Sequence, residues 1–200
     1  LRIVQKDEVM SDVVTPIFKS VEQALHVSFL MEILPATQKS AMQSMIERMM
    51  EEMGIVQERE KGTINFSGLS SLEIRGQCAM VRGAVLHHLP QPEADAVHAR
   101  YGYHLLKSNG IKGVRDYSLP MMATQDDWAT LAMAVSVFGT ARQREEYSTR
   151  MIAKSWGLSQ STVVRDIKII RNTARVLQER ACDRLNSFFE IHGLVGFNDF

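Results

Sequence analysis

The chain has 200 residues, 45% of them hydrophobic, and its 23 basic side chains are balanced by 23 acidic ones. That length holds one domain with a real core or two small ones, and the composition is that of a soluble globular protein. No run approaches the roughly 18 apolar residues of a membrane span, and no charged-then-apolar signal segment opens the sequence, so no membrane partner is expected.

The zero net charge conceals an asymmetry. Residues 1–73 carry 7 basic and 11 acidic side chains, a net of −4, whereas residues 142–184 carry 10 and 5, a net of +5. Cys78 and Cys182 are far apart and both fall on apolar helix faces, which suits reduced, buried thiols in a cytosolic protein better than a disulfide.

In chain order, the first dozen residues show no clear pattern. Ser20 and Gln23 form a capping box, and Val21, Ala24, Leu25, Ser28, Phe29 and Leu30 make one face of a helix that ends before Pro35. A second helix runs from about Gln38 to Met53 and stops at Gly54, with a stripe of Met42, Met45, Ile46, Met49, Met50 and Met53. Such a stripe reads first as core, with an adaptable partner surface as the alternative. Residues 1–60 are therefore expected to form an acidic, Met-rich helical hairpin.

The polar stretch GIVQEREKGTINFSGLSS is the linker, with a short strand-like piece at Thr63–Phe66. Ser70 and Glu73 make another capping box. The next helix carries Ile74, Cys78, Val81, Val85 and Leu89 on one side, with Arg75 and Arg82 on its other faces. Pro92 at a first-turn position starts the helix EADAVHARYG, ended by Gly102. The stretch after it, with Gly110, Gly113 and Pro120, reads as irregular, with one short helix around Val114–Leu119. Thr124 and Asp127 open the helix DDWATLAMAVSVF, closed by Gly139. Its Trp128, Leu131, Ala132, Val135 and Phe138 are expected to pack beneath the helical pair that begins at Ser148. A charged connector between them brings in Arg142 and Arg144.

From Ser148 to Arg175 the sequence parses as two helices joined by a tight turn. Ser148 is read as the N-cap of the first, through its hydroxyl. Met151, Ile152 and Trp156 supply apolar positions, and Ala153 is small where a second helix must approach. Gly157 can take the left-handed conformation that ends a helix, Leu158 tucks into the turn, and Ser159 caps a helix beginning at Gln160. Val163 falls where the second helix packs back on the first. This is the spacing of a helix-turn-helix.

That last helix is the longest element. Val163, Ile167, Ile170, Ala174, Leu177, Ala181, Leu185 and Phe188 approach a heptad seam over more than three repeats. Thirty residues at 1.5 Å each span about 45 Å. The seam could pair with its copy in a homodimer or cover the Cys78-bearing helix of the same chain, and the second is favoured because few leucines flank it. Gly193 ends the helix and residues 194–200 form a tail.

GLSQSTVVRDI, with Gly157, Leu158, Ser159, Thr162, Arg165 and Asp166, resembles the recognition segment of bacterial helix-turn-helix regulators. DeoR-type repressors share this pattern, but they continue it with a β-hairpin wing and this sequence continues as helix. LPQPEADAVHARYG is similar to the first helix of the promoter-reading region-four module of sigma factors. With the insert before the helix-turn-helix and the long final helix, the layout of residues 70–193 resembles phage and prophage late-gene regulators of the Q-type antitermination class. It lacks the Cys pairs of the zinc-bearing members. The resemblance implies a bacterial, cytoplasmic protein on promoter DNA beside RNA polymerase, with the acidic hairpin touching the polymerase.

No catalytic constellation is present: no Gly-rich phosphate loop, no GxSxG elbow, no paired-Cys metal spacing. His87 and His88 point apart on a helix, and His98 and His104 straddle a helix end. An enzyme, a metal site and a cofactor are accordingly not expected. The expected fold is all-α: an N-terminal hairpin, a helix-turn-helix DNA-binding module over residues 70–193, and a long C-terminal helix. The expected function is a sequence-specific, double-stranded-DNA-binding regulator of transcription. A dimeric helix-turn-helix repressor and a protein-binding helical adaptor are the alternatives. Gln160, Ser161 and Arg165 are the expected base readers, since Arg forks to guanine and Gln to adenine, while Thr162 and Val164 suit thymine methyls or backbone. Arg142, Arg144, Arg150, Lys168, Arg171 and Arg175 are the expected phosphate contacts. Asp166 is read as a helix-stabilising partner for Arg165 or Arg150.

Overall fold

The computed structural model describes residues 16–34, 44–46, 48, 64, 66 and 68–196. Most of the second expected helix, including Met42, Met49, Met50 and Met53, lies outside the described residues, as do the first dozen residues and most of the linker. Every regular element described is helical: α1 (Val21–Ile33), α2 (Ser71–His88), α3 (Gln91–Tyr101), α4 (His104–Ser118), a 3-10 turn (Leu119–Met121), α5 (Asp127–Phe138), α6 (Ala141–Glu146), α7 (Thr149–Ser155) and α8 (Gln160–Ile191). The fold is all-α, and no described helix is long and apolar enough to cross a membrane.

The start signals act where their chemistry places them. Ser20 accepts from the Gln23 amide at the head of α1. Ser70 and Glu73 satisfy each other's backbone amides at the head of α2, and the Ser70 amide, followed by its hydroxyl, holds the Glu73 carboxyl below its usual pKa. At α5 the cap is Asp126, which accepts from the Ala129 amide at 2.8 Å, rather than Thr124.

Two apolar cores share the molecule. The first is built around α1, whose residues 24–31 are all buried. The single amphipathic face expected there is thus replaced by burial on every side, as an all-round apolar helix requires. Around it lie Ile74, Cys78, Val81 and Val85 of α2, Val97 and Tyr101 of α3, and Ala181, Leu185 and Phe189 of α8. Ile46, Ile64, Phe66, Leu194 and Val195 complete this core. The N-terminal helix, expected in a unit of its own, therefore shares its interior with residues on both sides of the polar stretch. The strand-like piece contributes two core side chains, and the first residues of the tail are core as well. The Phe18 amide donates to the Leu194 carbonyl at 2.8 Å, tying the two ends of the described chain together. Arg75 and Arg82, read only as lying off the apolar side of α2, donate to the carbonyls of Met31, Leu34 and Ser28 at the end of α1. The carbonyls of Met31 and Leu34 are ones that the helix end leaves open, whereas that of Ser28 lies a turn further in.

The second core joins α3, α4, α5, α7 and the first half of α8 through Ala96, Ala99, Ile111, Val114, Ala132, Met133, Ile152, Val163, Ile167 and Ile170. The seam of α8 is thus covered within the chain, its first half in one core and its second half in the other. Phe189 rather than Phe188 occupies its last fully buried position. Glu93, buried on α3, pairs with Arg184 of α8 at 2.8 Å and locks the two helices that both cores share.

The stretch expected to be irregular is a 15-residue helix, α4. Its glycines are there for a close crossing rather than a break. A Cβ at Gly110 would strike the Ala99 amide nitrogen, the Asp95 carbonyl and the His98 side chain of α3, and one at Gly113 would strike the Asp95 carboxylate. Gly110→Ala should therefore force α3 and α4 apart and cost roughly 2 kcal/mol, although alanine is the better helix former. Denaturant unfolding reads the outcome directly, and a neutral or stabilising result would mean that the crossing is not tight.

Candidate nucleic-acid interface

Residues 127–175 fold as α5, α6, α7 and the first half of α8, the last two joined by a turn of four residues. The turn is built as its sequence dictates. Gly157 sits at φ +63°, in the left-handed region, and the Leu158 amide donates to the Ala153 carbonyl at 3.0 Å. This closes α7 with the 6→1 bond of a glycine-terminated helix. Ser159 then accepts from the Thr162 amide at 3.1 Å to open α8. Ser148 occupies the N-cap position of α7 but makes no side-chain cap bond, so α7 starts without the hydroxyl partner expected for it.

Beneath the turn, Ile152 and Val163 are fully buried, with Ala153, Trp156 and Leu158 half-buried against the same core. Met151, expected to pack there, is exposed. Trp128 is 72% exposed and does not support the turn; Ala129, Ala132 and Met133 fill α5's inner face, and Leu131, Val135 and Phe138 pack against it partly buried.

The side chains singled out for DNA lie on the outside of this unit. On α8, Gln160, Ser161, Val164, Arg165, Lys168, Arg171 and Arg175 are all exposed. They occupy the arc opposite Val163, Ile167, Ile170 and Ala174, as the 3.6-residue repeat requires. Arg150 on α7 and Arg142 and Arg144 on α6 are exposed too. Three of the assigned residues are partly engaged. The Ser161 and Thr162 hydroxyls lie 3.0 and 2.8 Å from that of Ser159, within the cap, and Arg175 pairs with Glu179 at 2.8 Å. Lys154, exposed in the last turn of α7, adds a cation that the motif did not single out.

Asp166 has a different part from the one expected. It is fully buried, and its Oδ1 and Oδ2 accept the backbone amides of Ala123 and Thr124 at 3.1 and 2.9 Å. Arg165 stands 3.9 Å away, at the limit of an ion pair, and is largely exposed. The carboxylate thus pins the segment leading into α5 to the start of α8 and leaves the neighbouring guanidinium to solvent. A signal for this existed in the sequence: Asp166 falls at the i+3 position of the buried set 163, 166, 167, 170, where a charge must have internal partners. A second buried tie, Arg115, pairs with Asp116 at 2.7 Å and with Asp127 at 2.8 Å, joining the end of α4 to the start of α5.

The histidines and cysteines do not converge. His88 stacks on Phe188, with ring centroids 4.6 Å apart, and His98 is buried edge-on to Phe29. Cys78 and Cys182 are free thiols, buried and half-buried, and burial raises both pKa values, that of Cys182 to about 11. No group of three potential metal ligands occurs among the described residues. A cleft of about 400 Å³ between the end of α1 and the start of α4 is lined by Glu32, Ile33 and residues 103–106, none of them from α6, α7 or α8. No protein-family model matches the chain, and no curated protein is significantly similar to it.

Proposed function

We propose that this protein is a sequence-specific DNA-binding regulator of transcription that places the N-terminal end of α8 in the major groove. One observation carries the reading: exposed Gln160, Ser161, Val164 and Arg165 lie at the start of a helix whose opposite side is buried, flanked by exposed basic residues on three successive helices. In this reading Gln160, Ser161 and Arg165 meet base edges, and Val164 and Thr162 meet thymine methyls or the backbone. Arg142, Arg144, Arg150, Lys168, Arg171 and Arg175 meet phosphates and set the register. A place beside RNA polymerase at a promoter, as in antitermination, rests on the resemblance of residues 70–193.

Selection of bound sequences from random duplex DNA tests the proposal. A recovered consensus supports it, and no enrichment at low salt leaves the helical adaptor. An asymmetric consensus fits the polymerase-associated arrangement, and a palindrome fits a dimeric repressor. On the selected site, Arg165→Ala should relax preference at one base pair by about 1–3 kcal/mol. Lys168→Ala and Arg171→Ala should instead weaken all duplexes alike and lower the salt slope by about one counterion each. Even loss across every single-base variant would reassign Arg165 to a phosphate.

A further inference from the structure

The outer side of α2 carries a stripe that the described chain leaves exposed at every position but half-buried Gly83. Leu72, Gly76, Ala79, Gly83 and Leu86 recur at spacings of 4, 3, 4 and 3, opposite the buried Ile74, Cys78, Val81 and Val85. Leu72 is 81% exposed and Leu86 65%. Gly76 and Gly83 stand in the interior of this 18-residue helix without positive φ, and a Cβ on either would meet nothing within 4 Å among the described residues. Each costs helix stability relative to alanine, and no contact within the described chain requires either. Gly110 and Gly113 show what mid-helix glycines do elsewhere in this fold: they let a second helix approach closely, its backbone at Gly110 and its Asp95 side chain at Gly113.

We propose that α2 is the interface of a homodimer, packing antiparallel against α2 of a second copy. The stripe selects this occupant because it is nearly its own complement about a two-fold axis through Ala79. Leu72 then falls opposite Leu86 of the second copy, Gly76 opposite Gly83, and Ala79 opposite itself, over about 21 Å of helix. Small residues at the centre let the backbones approach, and the leucines close the two ends. The flanking polar groups match in nearly the same register. Exposed Glu73, whose carboxylate already caps Ser70 through Oε2, comes opposite exposed His87 of the second copy, and the pair occurs twice. Arg75 and Arg82, on the other flank, donate to α1 carbonyls of their own chain. The long seam of α8, buried within the chain, is not the dimer surface. The dimer does not rest on the DNA reading.

Sedimentation equilibrium of the full chain without DNA tests it. The expected result is a dimer with a dissociation constant on the order of 1–100 μM, as a short two-helix interface gives. Gly76→Ala and Gly83→Ala should each weaken the dimer about tenfold. In dilute solution each should raise the thermal midpoint by about 2–4 °C through helix propensity. A merely structural role for these glycines would not separate the two readouts in this way. Ala79→Cys should form a disulfide-linked dimer on mild oxidation, joined through the introduced thiols, whereas the wild-type protein should not. A monomer at every concentration overturns the proposal. So does a dimer insensitive to both glycine changes, or one that Ala79→Cys does not cross-link.

Discussion

Asp166→Ala is expected to lower the unfolding free energy by roughly 3 kcal/mol, since removing a buried acceptor leaves its donors unpaired at about 1–3 kcal/mol each. The carboxylate is fully buried and serves two amides, of which that of Thr124 is itself buried. Alanine removes both bonds and leaves a space beneath the turn that leads into α5. Asp166→Asn keeps one acceptor oxygen and places an NH2 group against the second amide, so it should fall between the wild type and alanine. Chemical denaturation of the three proteins orders them, and a loss below about 1 kcal/mol for alanine would show that water replaces the carboxylate. The same pair of variants separates stability from recognition. Under the proposed DNA-binding role, conditions in which Asp166→Asn remains folded should still show weaker DNA binding, because the start of α8 is held less firmly to the segment before α5.

Acid should destabilise the protein between pH 6.5 and about 4 through His26. Burial, then the nearby positive charges of Arg100 and Lys107, hold its pKa down from 6.5 to about 4. The ring lies edge-on to Tyr101 with centroids 5.7 Å apart, and its Nε2 has no hydrogen-bond partner among the described residues. Above pH 6.5 the imidazole is neutral whether the chain is folded or not, and the full stability is present. As the pH falls below 6.5 the unfolded chain takes up a proton that the folded chain refuses until about pH 4. Stability therefore drops by up to about 1.4 kcal/mol per pH unit, roughly 3 kcal/mol across the window. His98, also held down chiefly by burial, acts with the same sign. His26→Phe keeps an aromatic edge toward Tyr101 and removes the titration. Its unfolding free energy should decline less steeply than that of the wild type over this window. Parallel profiles for the two proteins would exclude His26 as a source of the acid sensitivity.

Both effects arise from contacts that no local reading of the chain contains. Thr124 and Asp166 are 42 residues apart, and His26 lies on α1, far in sequence from Tyr101, Arg100 and Lys107. Their pairing is decided by how α1 seats against α3 and how α8 crosses the start of α5. The glycines divide along the same line. Gly157 could be read directly, because a helix that must turn back within four residues needs a left-handed residue there, and its φ of +63° is what such a turn requires. Gly110 and Gly113 suggested a break, yet their conformation is ordinary, and only the close approach of α3, through its backbone and its Asp95 and His98 side chains, excludes a side chain from them.

The sequence by itself determined the elements whose causes are local. The Ser70–Glu73 capping box, the Gly157–Ser159 turn and the 3.6-residue periodicity of Val163 to Leu185 each act within a few residues of chain, so their physics is legible there. The outward display of Gln160, Arg165, Lys168 and Arg171 follows from that periodicity as well. Tertiary structure alone decided that α1 is buried on every side and that Phe66, Leu194 and Val195 join its core. It also decided that Trp128 stands in solvent and that Asp166 anchors the turn rather than pairing at the surface. In each case a residue's burial depends on which distant helix covers it, and apolar attraction, being non-directional, leaves that choice to the packing of the whole chain.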